Sequence, residues 1–228
     1  MKKISKNDAQ YSRLKKTAES MGIDLFGVAD VASLKQEFAI DPRILKNMNR
    51  AVSVGMCLSG GILSEIDRVP TRLYFHHYRT LNALLDQTAL KLSRFIEKQG
   101  FIALPIPASQ IVDWQKQTAH LSHKKIALMA GIGWLGRNNL LVTQEFGSRF
   151  RLATILTNMP LKADKPLVYD CGSCSMCVAL CPANAIKENP SDFDHIACFE
   201  KLKEFQKQRL VDQYICGVCV RACGGKHV

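Results

Sequence analysis

Residues 171–182 read Cys171-Gly-Ser-Cys174-Ser-Met-Cys177-Val-Ala-Leu-Cys181-Pro182. Three cysteines with two residues between each, then a fourth after three more and a proline, is the run that holds a [4Fe-4S] cluster while its fourth cysteine serves the other cluster of a pair. A loop bearing Cys171, Cys174 and Cys177 can wrap one cubane and hold three of its irons, whereas Cys181 starts the next turn and points elsewhere. A second incomplete set is therefore expected, and Cys198, Cys216, Cys219 and Cys223 supply it. Cluster one is assigned to Cys171, Cys174, Cys177 and Cys223, and cluster two to Cys181, Cys198, Cys216 and Cys219. A zinc site of four cysteines would have two separated CxxC pairs, and a disulfide framework belongs to short secreted chains. Neither accounts for the triple followed by Cys-Pro.

The second set departs from a symmetric ferredoxin: it reads CxxCxxxC, Cys198 lies far upstream, and no proline follows Cys223. Cys171 and Cys223 fall near the ends of this region, so cluster one is expected to be the more exposed of the two. The ninth cysteine, Cys57, sits in the apolar run Ala51 to Leu58 and reads as a small core residue.

At 228 residues the chain suits one large domain, or one domain with an appendage, and its 47% hydrophobic content is ordinary for a globular protein. The basic N-terminal stretch is followed by no apolar segment, and no run approaches the ~18 apolar residues of a membrane span. The expected location is the cytoplasm, a reducing compartment where thiols are kept for metal. The formal charge is +11; two oxidised clusters with their thiolates bring it to about +7. That balance fits either a solvated basic surface or attraction to an acidic redox protein or RNA, although no arginine-rich run stands out.

Along the chain, Tyr11, Leu14, Ala18 and Met21 recur at helical spacing before Gly22, and Ile23 to Ala29 and Ala51 to Leu58 read as strands, the second ending in a turn at Ser59-Gly60-Gly61. Tyr78, Leu81, Leu85, Thr88, Leu92 and Phe95 mark a helix of about twenty residues that stops near Gly100. A strand over Phe101 to Leu104 is expected to end at Pro105 and Pro107. Ser122 reads as the N-cap of a short helix, with His123 and Lys124 in its first turn. His76, His77, His120 and His123 lack ligands at metal spacing and are not assigned to a metal site.

Gly131-Ile-Gly133-Trp134-Leu-Gly136-Arg137-Asn138 is literally GxGxxG. A dinucleotide fingerprint needs a strand before it, a helix after it and an acid about twenty residues on. Here a helical pattern precedes, Leu140 to Val142 looks like a strand, and position 156 is Leu, so the dinucleotide reading fails. Glycines at this density still let backbone approach a flat ligand closely, and Trp134 offers a face. Arg149 to Thr157 reads as another buried strand, with a linker from Asn158 to Asp170.

The order of these motifs, from Ala130-Gly-Ile-Gly-Trp-Leu-Gly-Arg-Asn-Asn-Leu-Leu through Gly147-Ser148, the strand to Thr157, the cysteine run with Cys-Pro, then Cys198 and CxxCxxxC, resembles epoxyqueuosine reductase. The resemblance covers nearly the whole chain and is specific from about Gly131 onward. It implies an α/β (α+β) N-terminal domain like the nitroreductase-related cobalamin-binding domain, over residues 1–162, followed by a two-cluster bacterial ferredoxin-like domain over residues 163–228. It further implies an oxidoreductase in which low-potential electrons from a donor protein pass through two [4Fe-4S] clusters to a corrinoid, with Gly131, Gly133, Trp134, Gly136, Arg137 and Asn138 lining that cofactor. The chain as given ends at Val228, before the helical-repeat domain by which such enzymes help hold transfer RNA, so the resemblance is to a short form. The family's catalytic aspartate falls, without a gap, on Gln117, and the nearest acid is Asp113. The alternative is an electron-transfer or activator protein that holds no corrinoid and docks to a redox partner.

Overall fold

The computed structural model describes residues 5–115 and 117–225. In chain order the elements are α1 (Lys6–Glu19), β1 (Leu25–Asp30), α2 (Pro42–Leu45), β2 (Arg50–Cys57), α3 (Gly60–Ser64), α4 (Arg72–Glu97), β3 (Ala103–Ile106), α5 (His123–Met129), β4 (Trp134–Leu135), β5 (Leu141–Val142), β6 (Phe150–Thr157), α6 (Met176–Leu180), α7 (His195–Lys207) and α8 (Val218–Ala222). They fall into two compact units, each assembled from separated stretches: Met1–Met56 with Asn82–Ile132 and Arg151–Leu167, and Cys57–Leu81 with Gly133–Phe150 and Val168–Val228.

The first unit is built on a four-stranded sheet of order β1-β2-β6-β3. β1 and β2 are antiparallel, with Leu25 opposite Gly55 and Asp30 opposite Arg50, and β3 is antiparallel to β6, with Ala103 opposite Thr157. The two central strands are buried along nearly their whole length, which is why both read as continuous apolar runs. β3 passes through Pro105, which lies opposite Ile155, so the strand does not stop where the proline was expected to stop it. The reason is position: β3 is an edge strand, where a missing N–H need cost no ladder hydrogen bond.

Leu34, Leu45, Met48, Leu121, Ile126 and Leu156 belong to one buried apolar cluster of this unit. α1 adds Leu14 and Ala18 from its inward face, and its first turn is capped by Ser5, whose hydroxyl accepts from the Asp8 N–H at 3.1 Å. Asp164 ties the linker to the sheet, accepting from the Val28 N–H and from the Tyr11 hydroxyl, each at 2.9 Å. The long helix α4 has 26 residues and begins at Arg72, because His76 and His77 continue it toward the N-terminus instead of preceding it. Its apolar stripe of Leu81, Leu85, Ala89, Leu92 and Ile96 is buried, and Gly100, at φ +84°, follows its end.

In the second unit Ser59-Gly60-Gly61 is the start of α3, not a simple turn. β4 and β5 form a two-stranded antiparallel ribbon with Trp134 opposite Val142. The short helix α6 packs against α8, and α3 also contacts α8. α7 is capped by Asp194, which accepts from the Ala197 N–H at 2.9 Å, and it buries Phe205.

Candidate metal centre

α6 and α8 are five residues each and share a plan. A cysteine is the second residue of each helix (Cys177, Cys219), another is its C-cap (Cys181, Cys223), and a third lies three positions before the first (Cys174, Cys216). The spacing 174-177-181 thus recurs at 216-219-223, and packing α6 on α8 brings the two copies together. Cys171 extends the first copy by one turn, and Cys198, in the first turn of α7, complements the second. Gly217, ahead of α8, adopts φ +84°, and a Cβ there would stand 2.6 Å from Tyr74 Cε1 and 2.8 Å from Ile66 Cδ1. Only glycine meets both demands.

The thiols perturb one another in a pattern. Burial, then Cys223, Cys171 and Cys174, pushes the Cys177 thiol up to about 11. Burial, then Cys181 and Asp194, pushes Cys198 up to about 11. Burial pushes Cys216 up to about 12 against a hydrogen bond from the Val218 N–H, with Cys198 and Cys181 adding to it. Cys219 is driven well above the usual thiol range by burial first, then by Cys216, Cys198, Cys177 and Cys181. Cys223 is raised by burial, opposed by hydrogen bonds from the Ser148 hydroxyl and N–H, with Cys171 and Cys174 raising it further. Cys177 and Cys223 thus have Cys171 and Cys174 as neighbours, Cys198 has Cys181, Cys216 has Cys198 and Cys181, and Cys219 has Cys216, Cys198, Cys181 and also Cys177. All nine cysteines are free thiols, and Cys174 is exposed while Cys177 is buried.

Among the described residues no group of three or more His, Cys, Asp or Glu is gathered closely enough for a single metal ion. That is consistent with the donor set. Thiols that bind different irons of one cubane need not converge on a point, and an all-thiol set of four suits an iron–sulfur core and not a hard cation.

Around the first four, the glycine-rich stretch is engaged with the chain itself. A Cβ at Gly133 would collide with the Val142 carbonyl oxygen, and one at Gly136 with the Val142 side chain, so both glycines let the β4–β5 ribbon close. Gly131, at φ +66°, lies in the first unit against the Lys165 carbonyl. Arg137, with its side chain 15% exposed, donates to three carbonyls: from Nε to Glu188 at 2.7 Å, from one terminal nitrogen to Cys174 at 2.7 Å, and from the other to Gly172 at 2.9 Å. Asn138 is buried and donates through Nδ2 to the Ser148 hydroxyl at 3.1 Å. Trp134 stacks obliquely on Tyr169, ring centres 5.9 Å apart, and its buried Nε1 has no hydrogen-bond partner.

Sequence inspection singled out Arg137 and Asn138 but not their partners. Arg137 and the carbonyls that it binds are 35 to 51 positions apart, so no local pattern could disclose the contact. Ser148 was likewise unassigned, though its N–H also donates to the Cys223 carbonyl at 3.1 Å. In the first unit His123 lies between the Thr154 hydroxyl (2.8 Å from Nδ1) and the Pro107 carbonyl (3.1 Å from Nε2). A carbonyl only accepts, so Nε2 carries the proton and Nδ1 accepts from Thr154. Burial, helped by Arg151 and opposed by the Pro107 bond, lowers the His123 pKa to about 4. Ser122 caps α5 by accepting from the Lys125 N–H at 3.3 Å. Asp113 pairs with Thr118 through both backbone groups, and its carboxylate accepts from the Gln115 N–H at 2.9 Å.

No protein-family model matches the chain. Among curated proteins, the epoxyqueuosine reductase of Cyclobacterium marinum is 25% identical over 242 residues, covering 92% of this chain and 77% of the relative. The chain is similar to epoxyqueuosine reductases. Matches to the epoxyqueuosine reductases of Bacillus cereus and Listeria monocytogenes are 34% and 39% identical but cover only 30% of those relatives. Solved structures share the fold. An epoxyqueuosine reductase with an epoxyqueuosine-modified tRNA stem loop superposes with TM-score 0.64 at 22% identity, covering 94% of this chain and 64% of that one. A catabolic reductive dehalogenase reaches TM-score 0.76 at 17% identity, covering 97% of this chain and 32% of that one; a reductive dehalogenase structure of TM-score 0.68 is described in terms of B12-dependent dehalogenation. The α/β architecture and the epoxyqueuosine reductase likeness stand together, and among the described residues no helix is long and apolar enough to cross a membrane.

Proposed function

We propose that this epoxyqueuosine reductase-like chain is an iron–sulfur oxidoreductase. One [4Fe-4S] cluster is held by Cys171, Cys174, Cys177 and Cys223, and the other by Cys181, Cys198, Cys216 and Cys219. The observation that carries the proposal is the repeated plan of cysteines 174-177-181 and 216-219-223 on α6 and α8, two helices that pack against each other. The α/β part (residues 1–162) then takes the role of the nitroreductase-like, cobalamin-binding domain and the remainder (residues 163–228) that of the ferredoxin-like domain, with residues 57–81 and 133–150 packed into the cysteine-bearing unit. Bound clusters supply one-electron transfer at low potential, and a bound corrinoid supplies the metal centre at which a substrate is reduced.

The chain's own part is to place and insulate. Buried thiols are held protonated in the absence of a cation and give up their protons when a cationic core binds. The Ser148 N–H donates to the Cys223 carbonyl at 3.1 Å and its hydroxyl is the group that opposes the rise of the Cys223 thiol, while Asn138 orients Ser148 by donating to its oxygen. Cys174, exposed at the rim, makes the first set the side at which a low-potential donor protein delivers electrons.

A second reading has its own support. Gly133 and Gly136 lie tight against the β5 strand, Arg137 donates to three carbonyls and Asn138 donates to Ser148, all within the second unit. Trp134 Nε1 is the buried donor of this stretch that lacks a partner. A chain that binds no corrinoid and passes electrons to an acidic redox partner fits these contacts. Anaerobic addition of cob(II)alamin to the cluster-loaded protein decides between the two. A protein-bound, base-off EPR and visible spectrum supports the corrinoid enzyme; an unchanged cob(II)alamin spectrum over intact clusters supports the electron carrier. Transfer RNA, bound by the related reductase, is the macromolecular partner to test, and binding that weakens steeply with salt is the expected signature.

A further inference from the structure

Arg137 uses all three of its guanidinium nitrogens, two of them on the loop of the first cysteine set. Nε lies 2.7 Å from the Glu188 carbonyl and 3.3 Å from the Glu188 carboxylate, while the terminal nitrogens lie 2.7 Å from the Cys174 carbonyl and 2.9 Å from the Gly172 carbonyl. Arg137 follows β4 after Gly136 and its side chain is 15% exposed, so it is a planar, permanently charged fork set largely inside the second unit. A fork with fixed donor directions can bridge separated carbonyls at once; a lysine, a point charge on a flexible stem, cannot.

The carbonyls that it takes are informative. Gly172 and Cys174 are the second and fourth residues of the turn in which the Cys174 N–H donates to the Cys171 carbonyl at 3.0 Å, and Gly172, at φ +52°, is anchored by its N–H to the Asp170 carboxylate at 2.7 Å. In a trans peptide C=O and N–H point in opposite directions. With the carbonyls of residues 172 and 174 drawn to Arg137, the N–H groups of Ser173 and Ser175 face the other way. Arg137 therefore fixes the orientation of two peptide planes in the stretch that carries Cys171 and Cys174, the outer thiols of the first four. Nothing else in the described contacts of this loop spans from residue 172 to residue 188.

We infer that Arg137 is a positioning residue for the first cysteine set, holding the Cys171–Cys174 turn in the form that receives an iron–sulfur cluster. This rests on the proposed assignment of the first cluster and adds to it the residue that preorganises the site. It also gives Arg137 a partner other than a corrinoid. The energetic sense is that of any preorganised metal site: ligands on a loose loop must be ordered at the cost of binding.

The test uses the full chain with Arg137→Lys and Arg137→Gln. In the metal-free proteins, the rates of thiol alkylation at individual cysteines are read by mass spectrometry. Loss of the clamp is expected to raise the rate at the half-buried Cys171 by about tenfold, the effect of about 1.4 kcal/mol on local opening, with Cys198 and Cys216 unchanged. After anaerobic reconstitution, each variant is expected to hold about four irons where the wild type holds about eight, with the remaining EPR signal that of the second cluster. Retention of the second cluster reports that the variant is folded. A wild-type alkylation rate at Cys171 together with a full iron complement in both variants would overturn the inference while leaving the cluster assignment intact. A wild type that binds no iron would overturn the assignment and the inference together, and a uniform rise in alkylation at all cysteines would make Arg137 a general packing residue and so overturn it as a positioning one.

Discussion

Ser148 is 3% exposed and sends its hydroxyl and N–H toward Cys223, with Asn138 donating to its oxygen from behind. Hydrogen bonds to a ligating sulfur stabilise the more negative, reduced cluster and so raise its potential. Ser148→Ala is therefore expected to keep the full iron content and to move one of two cluster potentials to a more negative value, with Ser148→Thr restoring it; redox titration followed by EPR reads both. His123 makes a second residue-scale case. Its pKa is lowered from 6.5 to about 4, so the folded form holds it neutral while the unfolded form takes up a proton below about 6.5. Its contribution is fully present above pH 6.5 and is lost as pH falls through about 4. The melting temperature should fall over that window, and an imidazole NMR signal titrating near 6.5 in the folded protein would contradict the assignment.

At the scale of elements, the repeated plan of α6 and α8 depends on how each helix is entered. Gly217→Ala places a Cβ against Tyr74 and Ile66 at a left-handed backbone, where strain alone costs about 1–2 kcal/mol. The expected result is a loss of unfolding free energy of at least that size, seen as a lower denaturant midpoint, together with loss of the second cluster in preference to the first, since Cys216 and Cys219 flank the substituted residue. What was legible in the sequence follows the same scale. The cysteine spacing could be read because a ligand loop is a local covalent object. The strands β2 and β6 could be read because central strands are apolar without interruption. The start of α4 was missed although its buried Tyr74 continues the helical spacing of Tyr78 and Leu81, because His76 and His77 interrupt the run, and β3 was shortened on the strength of Pro105, whose tolerance on an edge depends on strand order. Sheet order is a long-range property. So is the Arg137 clamp, whose partners lie in a segment that no periodicity connects to β4.

At the scale of the molecule, eight thiols crowd into one unit, and burial sets the terms on which they ionise. The ordinary thiol value of 9.0 is raised to about 11 at Cys177 and Cys198 and to about 12 at Cys216. A raised folded value means that the metal-free fold is favoured while these thiols stay protonated, and that this stability is lost as pH rises from about 9 through about 12. The metal-free protein should therefore melt at lower temperature as pH is raised from 8 toward 10, whereas the cluster-loaded protein, whose thiolates are already formed, should not follow that slope. The division into two units assembled from alternating stretches was not legible, because residues 57–81 and 133–150 carry no cysteine ligand and join the cysteine-bearing unit through packing alone.

The central claim is that two sets of four thiols hold two separate clusters, and the most direct measurement is iron content with EPR of the reduced protein, made on the wild type and on Cys223→Ala. The wild type should bind about eight irons per chain and give a spectrum broadened by coupling of two neighbouring clusters. Cys223→Ala should retain about four irons and the simpler spectrum of a single cluster, the second. Equal iron and an unchanged coupled spectrum in the variant would contradict the pairing, and a wild type that takes up no iron would contradict the claim itself.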